Sequence, residues 1–395
     1  PMSYQDDPSK HYIRARNYYQ KSFSCTQENV TSTIKNKIRI GYFSADFFDH
    51  ATMHLMIRIF ELHNKKEFDI YAYDYGKYFK DEMTERLKCN VSIYRDIKDF
   101  TDEEVVSLAR NDDLDIAVDL KGHTFRSRLR IFARRVAPIQ ITYLGYPGTL
   151  GLESIDYIIA DKIVIPERNK KFYSEKIINM PYCYQCNNNT KEIAPEYLSR
   201  KDHDLPIKSF VFSCFNANYK ISPKEFDIWM RLLNKIEGSV LWLFKSNEWA
   251  VKNMCKEAEK RDISSERLIF AERISLEKHL ARHTLADLAL DTFNYNGHTT
   301  TSDALWAGLP VLTKIGESFS SRVSASLLHT LGLKELITNS QIDYENKALE
   351  LAKYPKKLAD LKAYLKKSKE KSPLFDSKMF THCLEEKYKE LRFNH

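Results

Sequence analysis

The sequence predicts an α/β protein made of two doubly wound parallel-sheet domains in tandem. Three observations carry this. Short apolar runs such as Ile116-Ala117-Val118-Asp119-Leu120 have the composition of strands buried in a parallel sheet. They alternate with longer stretches of helical character, the pattern of βαβ units. The alternation stops once, in the Asn-, Lys- and Pro-rich stretch from Asn187 to Pro206, and then restarts. A length of 395 residues suits two domains.

The elements follow in order. Residues 1–36 form a polar N-terminal linker segment, with a helix expected over His11 to Phe23. The first domain spans 37–190. Ile38, Ile40 and Tyr42 alternate as in a strand, followed by a helix from Met53 to Leu62 and a strand from Phe68 to Tyr73. A helix from Asp102 to Arg110 precedes the Ile116 strand, and Ile139 to Leu144 and Tyr157 to Ile159 add two more strands. The second domain spans 206–395. Strands are expected at Phe210–Cys214, Val240–Phe244, Leu268–Phe270, Leu288–Leu290 and Val311–Thr313. Ser222 and Pro223 look like the cap and first residue of a helix to Asn234. Further helices are expected at Asn247–Arg261, Thr300–Ala307, Ser320–Leu331, Asp343–Ala352, Pro355–Lys371 and Ser377–Arg392.

Composition narrows the function classes. Hydrophobic residues make up 43% and charged residues 29%, which is globular. No run of 18 apolar residues suggests a membrane span, and the first 25 residues have no apolar signal core. Seven scattered cysteines look like reduced thiols. Together these point to a cytoplasmic protein without a membrane partner. The net charge of +7 is mild, and the run at Lys366, Lys367, Lys369 and Lys371 reads as a solvated helix face, so no nucleic-acid partner is expected. The aromatics alternate within strands rather than interleaving with a basic stripe.

In doubly wound sheets ligands bind beyond the carboxyl ends of the strands, so two such domains should hold a ligand in the cleft between them. The strongest local signal is Asn296-Gly297-His298-Thr299-Thr300-Thr301-Ser302-Asp303, which follows a strand and opens a helix. Gly297 allows a tight turn. The threonine hydroxyls and free helix N–H groups suit a diphosphate, His298 can add a hydrogen bond, and Asp303 can accept from a ribose diol. An ordinary helix cap is the competing reading. A second loop, Gly145-Tyr146-Pro147-Gly148-Thr149, follows a strand and also fits a plain turn. Asp46 and His50 follow the first strand, where a His is well placed for acid–base work. Gly122-His123-Thr124 follows the strand carrying Asp119. Asp113-Leu114-Asp115 has acidic-pair spacing, but its helix-to-strand position favours solvation. Cys183 and Cys186 have zinc-like spacing without a second ligand pair, so no metal site is expected.

Several of these stretches occur together, in order, in one family. They are Ile40 to Met56 with Asp46 and His50; Ala137-Pro138-Ile139-Gln140 with Leu144 to Thr149; Asp156 to Asp161; Tyr173 to Lys176; Phe215-Asn216 with Tyr219-Lys220; Asn296 to Asp303; Trp306-Ala307-Gly308; and Ser321-Arg322-Val323. On them the chain resembles the catalytic region of the O-linked N-acetylglucosamine transferases and their SPINDLY-type relatives, over roughly residues 37 to 350. The resemblance implies a GT-B fold of two Rossmann-like domains, the first on the acceptor side and the second on the nucleotide-sugar side. It implies an inverting transfer of N-acetylglucosamine from UDP-N-acetylglucosamine to protein Ser or Thr hydroxyls, with no cofactor or metal.

By position, His50 matches the family's active-site His and Asp46 a nearby carboxylate, both candidate bases. Lys220 matches the lysine on the donor diphosphate, and His279 a His near the uracil. His298, Thr299 and Thr300 match the diphosphate turn and Asp303 the ribose contact. Ala217, Leu276 and His123 stand where the animal enzyme has Gln, Lys and Tyr. They leave open a different donor such as GDP-fucose, and another GT-B enzyme or an inactive sugar-nucleotide scaffold are the alternatives. The tetratricopeptide array of the family does not occur in this sequence.

Overall fold

The computed structural model describes residues 2–23, 29–33, 35–76, 81–195 and 199–393. Parts of the expected 1–36 segment and of the 187–206 linker lie outside these. The chain divides into two compact units, Asp7–Asn189 with Pro373–His395, and Pro1–Asp6 with Thr190–Ser372.

The first unit opens with α1 (Pro8–Ser22), capped by Asp7, which accepts from the Lys10 N–H at 3.1 Å. Then come β1 (Ile38–Ser44), α2 (Ala51–Leu62), β2 (Phe68–Asp74), α3 (Glu82–Asn90), β3 (Ile93–Asp96), α4 (Asp102–Asn111), β4 (Ile116–Asp119), α5 (Leu129–Ala133), β5 (Ile139–Thr142), β6 (Tyr157–Ala160) and β7 (Lys176–Asn179). All seven strands are parallel, in the order β3-β2-β1-β4-β5-β6-β7. Residues Ile40 to Ser44 of β1 are all buried, not alternately so, because β1 lies between β2 and β4 in the sheet interior.

The second unit contains β8 (Val211–Cys214), α6 (Pro223–Lys235), β9 (Val240–Phe244), α7 (Glu248–Glu259), β10 (Leu268–Ala271), α8 (Leu276–Arg282), β11 (Leu288–Leu290), α9 (Thr299–Trp306), β12 (Val311–Lys314), α10 (Val323–Thr330), β13 (Ile337–Thr338), α11 (Gln341–Lys353) and α12 (Pro355–Ser368). Its sheet is also parallel, in the order β10-β9-β8-β11-β12-β13. Ser222 starts α6 as expected: its N–H donates to the Glu225 carboxylate at 2.9 Å, closing a capping box.

Both sheets reverse their strand order once, between β1 and β4 in the first and between β8 and β11 in the second. In doubly wound sheets the loops on either side of such a reversal leave in opposite directions, and ligands bind in the crevice between them.

Four features differ from expectation. Strands β3, β7 and β13 carry no strong apolar run, and each lies at a sheet edge. One side of an edge strand faces no neighbour, so it has less reason to be apolar. The helix expected over Ser320 to Leu331 is broken at Arg322, between a short 3-10 turn at Phe319–Ser321 and α10. The last helix, α13 (Ser377–Phe393), expected in the second domain, packs in the first unit. There the Tyr388 hydroxyl lies 3.2 Å from the Tyr42 hydroxyl, and Glu385 lies 3.0 Å from Nδ1 of His63. Asp115 is not solvated: it is buried, accepts from the Arg39 N–H at 2.9 Å, and anchors Arg392 of α13 at 2.8 Å.

Candidate functional site

In the first unit the loops after β1 and β4 carry the candidate residues. The Asp46 carboxylate is buried and takes the Lys121 ammonium at 2.6 Å. His50 is the N-cap of α2, and its Nδ1 accepts from the Thr52 N–H at 3.2 Å. Nδ1 also stands 3.6 Å from Asp46 Oδ2. Burial lowers the His50 pKa below its usual value; Asp46 opposes this and Lys121 adds to it. The imidazole is therefore neutral near pH 7, the form that can accept a proton.

Sequence reasoning missed Lys121, the ion-pair partner of Asp46, because one lysine after a strand carries no local signal. Asp119, at the end of β4, shapes its turn by accepting from the N–H groups of Lys121 at 3.1 Å and Gly122 at 2.8 Å. Burial raises its pKa to about 6.

His123 and the Gly145–Thr149 loop come together. His123 Nε2 donates to the Leu150 carbonyl at 2.8 Å, and its ring meets Tyr146 edge-on at 5.2 Å. Burial lowers the His123 pKa. A Cβ on Gly145 would fall 1.9 Å from the Leu120 carbonyl oxygen, so only glycine lets the loop pass there. Pro147 and Gly148 are buried. The buried Thr149 hydroxyl donates to Glu175 at 2.7 Å, and the other Glu175 oxygen accepts from the Leu150 N–H at 2.7 Å. This loop is pinned from below by a buried carboxylate.

In the second unit Asp291, just past β11, organises the site. Buried, it accepts from the Gly297 N–H at 2.7 Å, from Asn216 Nδ2 at 3.1 Å and from the Thr313 hydroxyl at 2.7 Å. Asn216 in turn accepts from the Thr300 hydroxyl. These bonds draw the 292–297 turn and the start of α9 towards the loop after β8. No side chain caps α9 at His298. Its first N–H groups therefore lack the partner a cap would supply.

Lys220 leaves the β8 loop and donates to the Asn296 carbonyl at 2.9 Å, its ammonium 3.9 Å from the centre of the Tyr295 ring. Burial pulls its pKa down to about 8, against the attraction of Asp291. His298 Nε2 is buried without a hydrogen-bond partner among the described residues. Burial and the Lys220 charge push its pKa well down, so the ring is neutral.

His279 and Asp303 lie on α8 and α9. Burial lowers the His279 pKa to about 4; its ring packs 5.3 Å from Phe215 and 4.7 Å from His283. The Asp303 carboxylate pairs with Lys191 at 2.6 Å, both side chains almost wholly buried. Trp306 Nε1 donates to the Lys191 carbonyl at 3.2 Å. Lys191 lies inside the expected linker, where nothing local marks it as a site residue.

Among the described residues no group of three or more His, Cys, Asp or Glu side chains is arranged to hold a metal ion. Cys183 and Cys186 are buried thiols. No described helix is long and apolar enough to cross a membrane.

The model of glycosyl transferase family 41 matches residues 14–195 and 186–384. A protein of Arabidopsis thaliana named as a probable UDP-N-acetylglucosamine–peptide N-acetylglucosaminyltransferase SEC is 34% identical over 358 residues, 89% of this chain and 37% of that protein. A SPINDLY protein of Petunia hybrida is 30% identical over 367 residues, 90% of this chain and 39% of that one. The chain thus spans less than half the length of these relatives. The solved structure of an O-GlcNAc transferase mutant from Thermobaculum terrenum is 30% identical and matches with a TM-score of 0.90, covering 98% of this chain and 74% of that one.

Proposed function

This chain belongs to glycosyl transferase family 41, and from that premise we propose that it transfers N-acetylglucosamine from UDP-N-acetylglucosamine to Ser or Thr hydroxyls of a protein, with inversion and without a metal. The names of the plant relatives supply the donor and the peptide acceptor. The observation that carries the chemistry is Lys220, whose ammonium is held 2.9 Å from the Asn296 carbonyl in the turn that enters the uncapped helix α9.

The demanding event is departure of UDP, as the C1–oxygen bond breaks and negative charge grows on the diphosphate. A fixed cation and a helix N-terminus stabilise that charge where it develops. Lys220, the Thr299 hydroxyl and the N–H groups of α9, that of Thr300 among them, are the donors, with Gly297 keeping the approach open. A Cβ there would lie 2.5 Å from the Thr301 hydroxyl and 2.6 Å from that of Thr300. Asp303 holds the ribose and His279 lies beside the uracil.

The acceptor oxygen attacks C1 from the face opposite the leaving group, which inverts the centre, and its proton passes to a base. His50 is that base, and Asp46 its orienting partner. For Nε2 to take the proton, the ring's own proton sits on Nδ1 in place of the Thr52 contact, and the ring closes the 3.6 Å to Asp46 Oδ2 so that this carboxylate accepts it. His123 and the Gly145–Thr149 loop line the same unit's ligand position. The six described cysteines are thiols rather than disulfides, which suits the cytoplasmic location that is part of this proposal.

The test is nucleoside diphosphate release with EDTA present, as UDP from UDP-N-acetylglucosamine and UDP-glucose and as GDP from GDP-fucose, for the wild type and Lys220→Met. Turnover of the N-acetylglucosamine donor that Lys220→Met cuts by about 10²–10³ supports the proposal. Preference for another donor corrects the sugar. UDP binding with no turnover of any donor replaces the enzyme by a sugar-nucleotide-binding scaffold.

A further inference from the structure

The start of the chain is built into the second unit. Met2 and Ser3 are buried, and the Ser3 carbonyl accepts from Asn294 Nδ2 at 2.9 Å. Asp6 goes further. Its Oδ1 accepts from the Ser318 N–H at 2.7 Å and from the hydroxyls of Ser318 and Ser321 at 2.6 Å each. Its Oδ2 accepts from the Glu317 N–H at 2.8 Å. A Cβ on Gly316 would fall 2.2 Å from Oδ2, so the loop is shaped around this carboxylate. Four donors on one carboxylate make a strong, charge-assisted set.

That loop in turn holds the turn carrying the Lys220 acceptor. The Ser320 carbonyl accepts from the Asn296 N–H at 2.8 Å, and the Ser320 hydroxyl donates to the Asn294 carbonyl at 2.9 Å. The Asn296 carbonyl then takes the Lys220 ammonium at 2.9 Å. Residues 2–6 thus grip the 294–296 turn twice, directly through Ser3 and indirectly through Asp6.

We propose that Asp6 is a positioning residue for the nucleotide diphosphate: through the Glu317–Ser321 loop it sets the 294–296 turn and hence the place of the Lys220 ammonium. The inference rests on the reading of Lys220 as the diphosphate cation.

The experiment is a double-mutant cycle on UDP affinity, with Asp6→Ala, Lys220→Met and the double variant in the full chain, alongside thermal unfolding of each. If Asp6 acts through Lys220, Asp6→Ala weakens UDP at least fivefold and adds little to the loss of Lys220→Met. Losses that multiply, or an Asp6→Ala protein that binds UDP like the wild type, overturn the proposal. Should Asp6→Ala not fold, the isosteric Asp6→Asn replaces it in the same cycle, and Asp6→Glu is expected to restore part of the affinity. Failure of the transferase reading shows separately, as wild-type UDP binding without turnover of any donor, and leaves the cycle readable. A wild type that binds no UDP overturns both.

Discussion

Lys191 and Asp303 form an ion pair at 2.6 Å whose side chains are 1% and 6% exposed. Removing one partner of such a pair strands the other charge away from water. Lys191→Met should therefore destabilise the second unit by about 3–5 kcal/mol, read by urea unfolding, and weaken UDP binding as Asp303 moves. Replacing both, Lys191→Met with Asp303→Leu, should recover most of the stability and none of the UDP affinity. Recovery of both would remove Asp303 from the ribose contact.

The His50 pKa is lowered, chiefly by burial. A base works deprotonated, so kcat/KM should be flat above pH 6.5 and fall on the acid side, with its midpoint below 6.5. His50→Phe should abolish that limb and cut turnover far more than UDP affinity. A limb centred above 6.5 would give the proton to another group.

His283 is 2% exposed, and neither ring nitrogen has a hydrogen-bond partner among the described residues. Burial pushes its pKa well below 6.5. The unfolded chain takes up this proton first, so the contribution is present above pH 6.5 and is lost as pH falls through and below it. His283→Leu removes the titrating group. Relative to its own value at pH 7, the variant should lose less stability than the wild type by pH 5. Parallel losses in the two proteins would show that His283 does not titrate on unfolding.

Two glycines should respond differently to alanine. At Gly145 the new methyl would meet the Leu120 carbonyl at 1.9 Å, with backbone on both sides of the clash. Gly145→Ala should cost about 3 kcal/mol or more and disturb the Thr149–Glu175 contact. Gly308, just beyond α9, has φ +86° and nothing within 4 Å of a Cβ, so Gly308→Ala should cost only the left-handed strain, about 1–2 kcal/mol. Thermal unfolding of both variants separates crowding from backbone strain.

The turn into α9 was legible because its signal is local. The Asn296–Asp303 stretch announced itself as a turn entering a helix, and α9 begins at Thr299. The partners were not legible. Lys121 finds Asp46 across 75 positions, Lys191 finds Asp303 across 112, and Asp6 finds Ser318 across 312. None has a spacing or neighbour that foretells its contact.

The sequence by itself determined the class of fold and the interior of both sheets. A strand buried on two faces is apolar along most of its length, and that shows in a short window, as it does in Ile116–Leu120. Only the tertiary structure decided the edge strands, the unit to which α13 belongs, and which loops meet at the strand-order reversals. Those outcomes depend on pairings between distant segments, whose free energy appears only once the sheet order has brought them together.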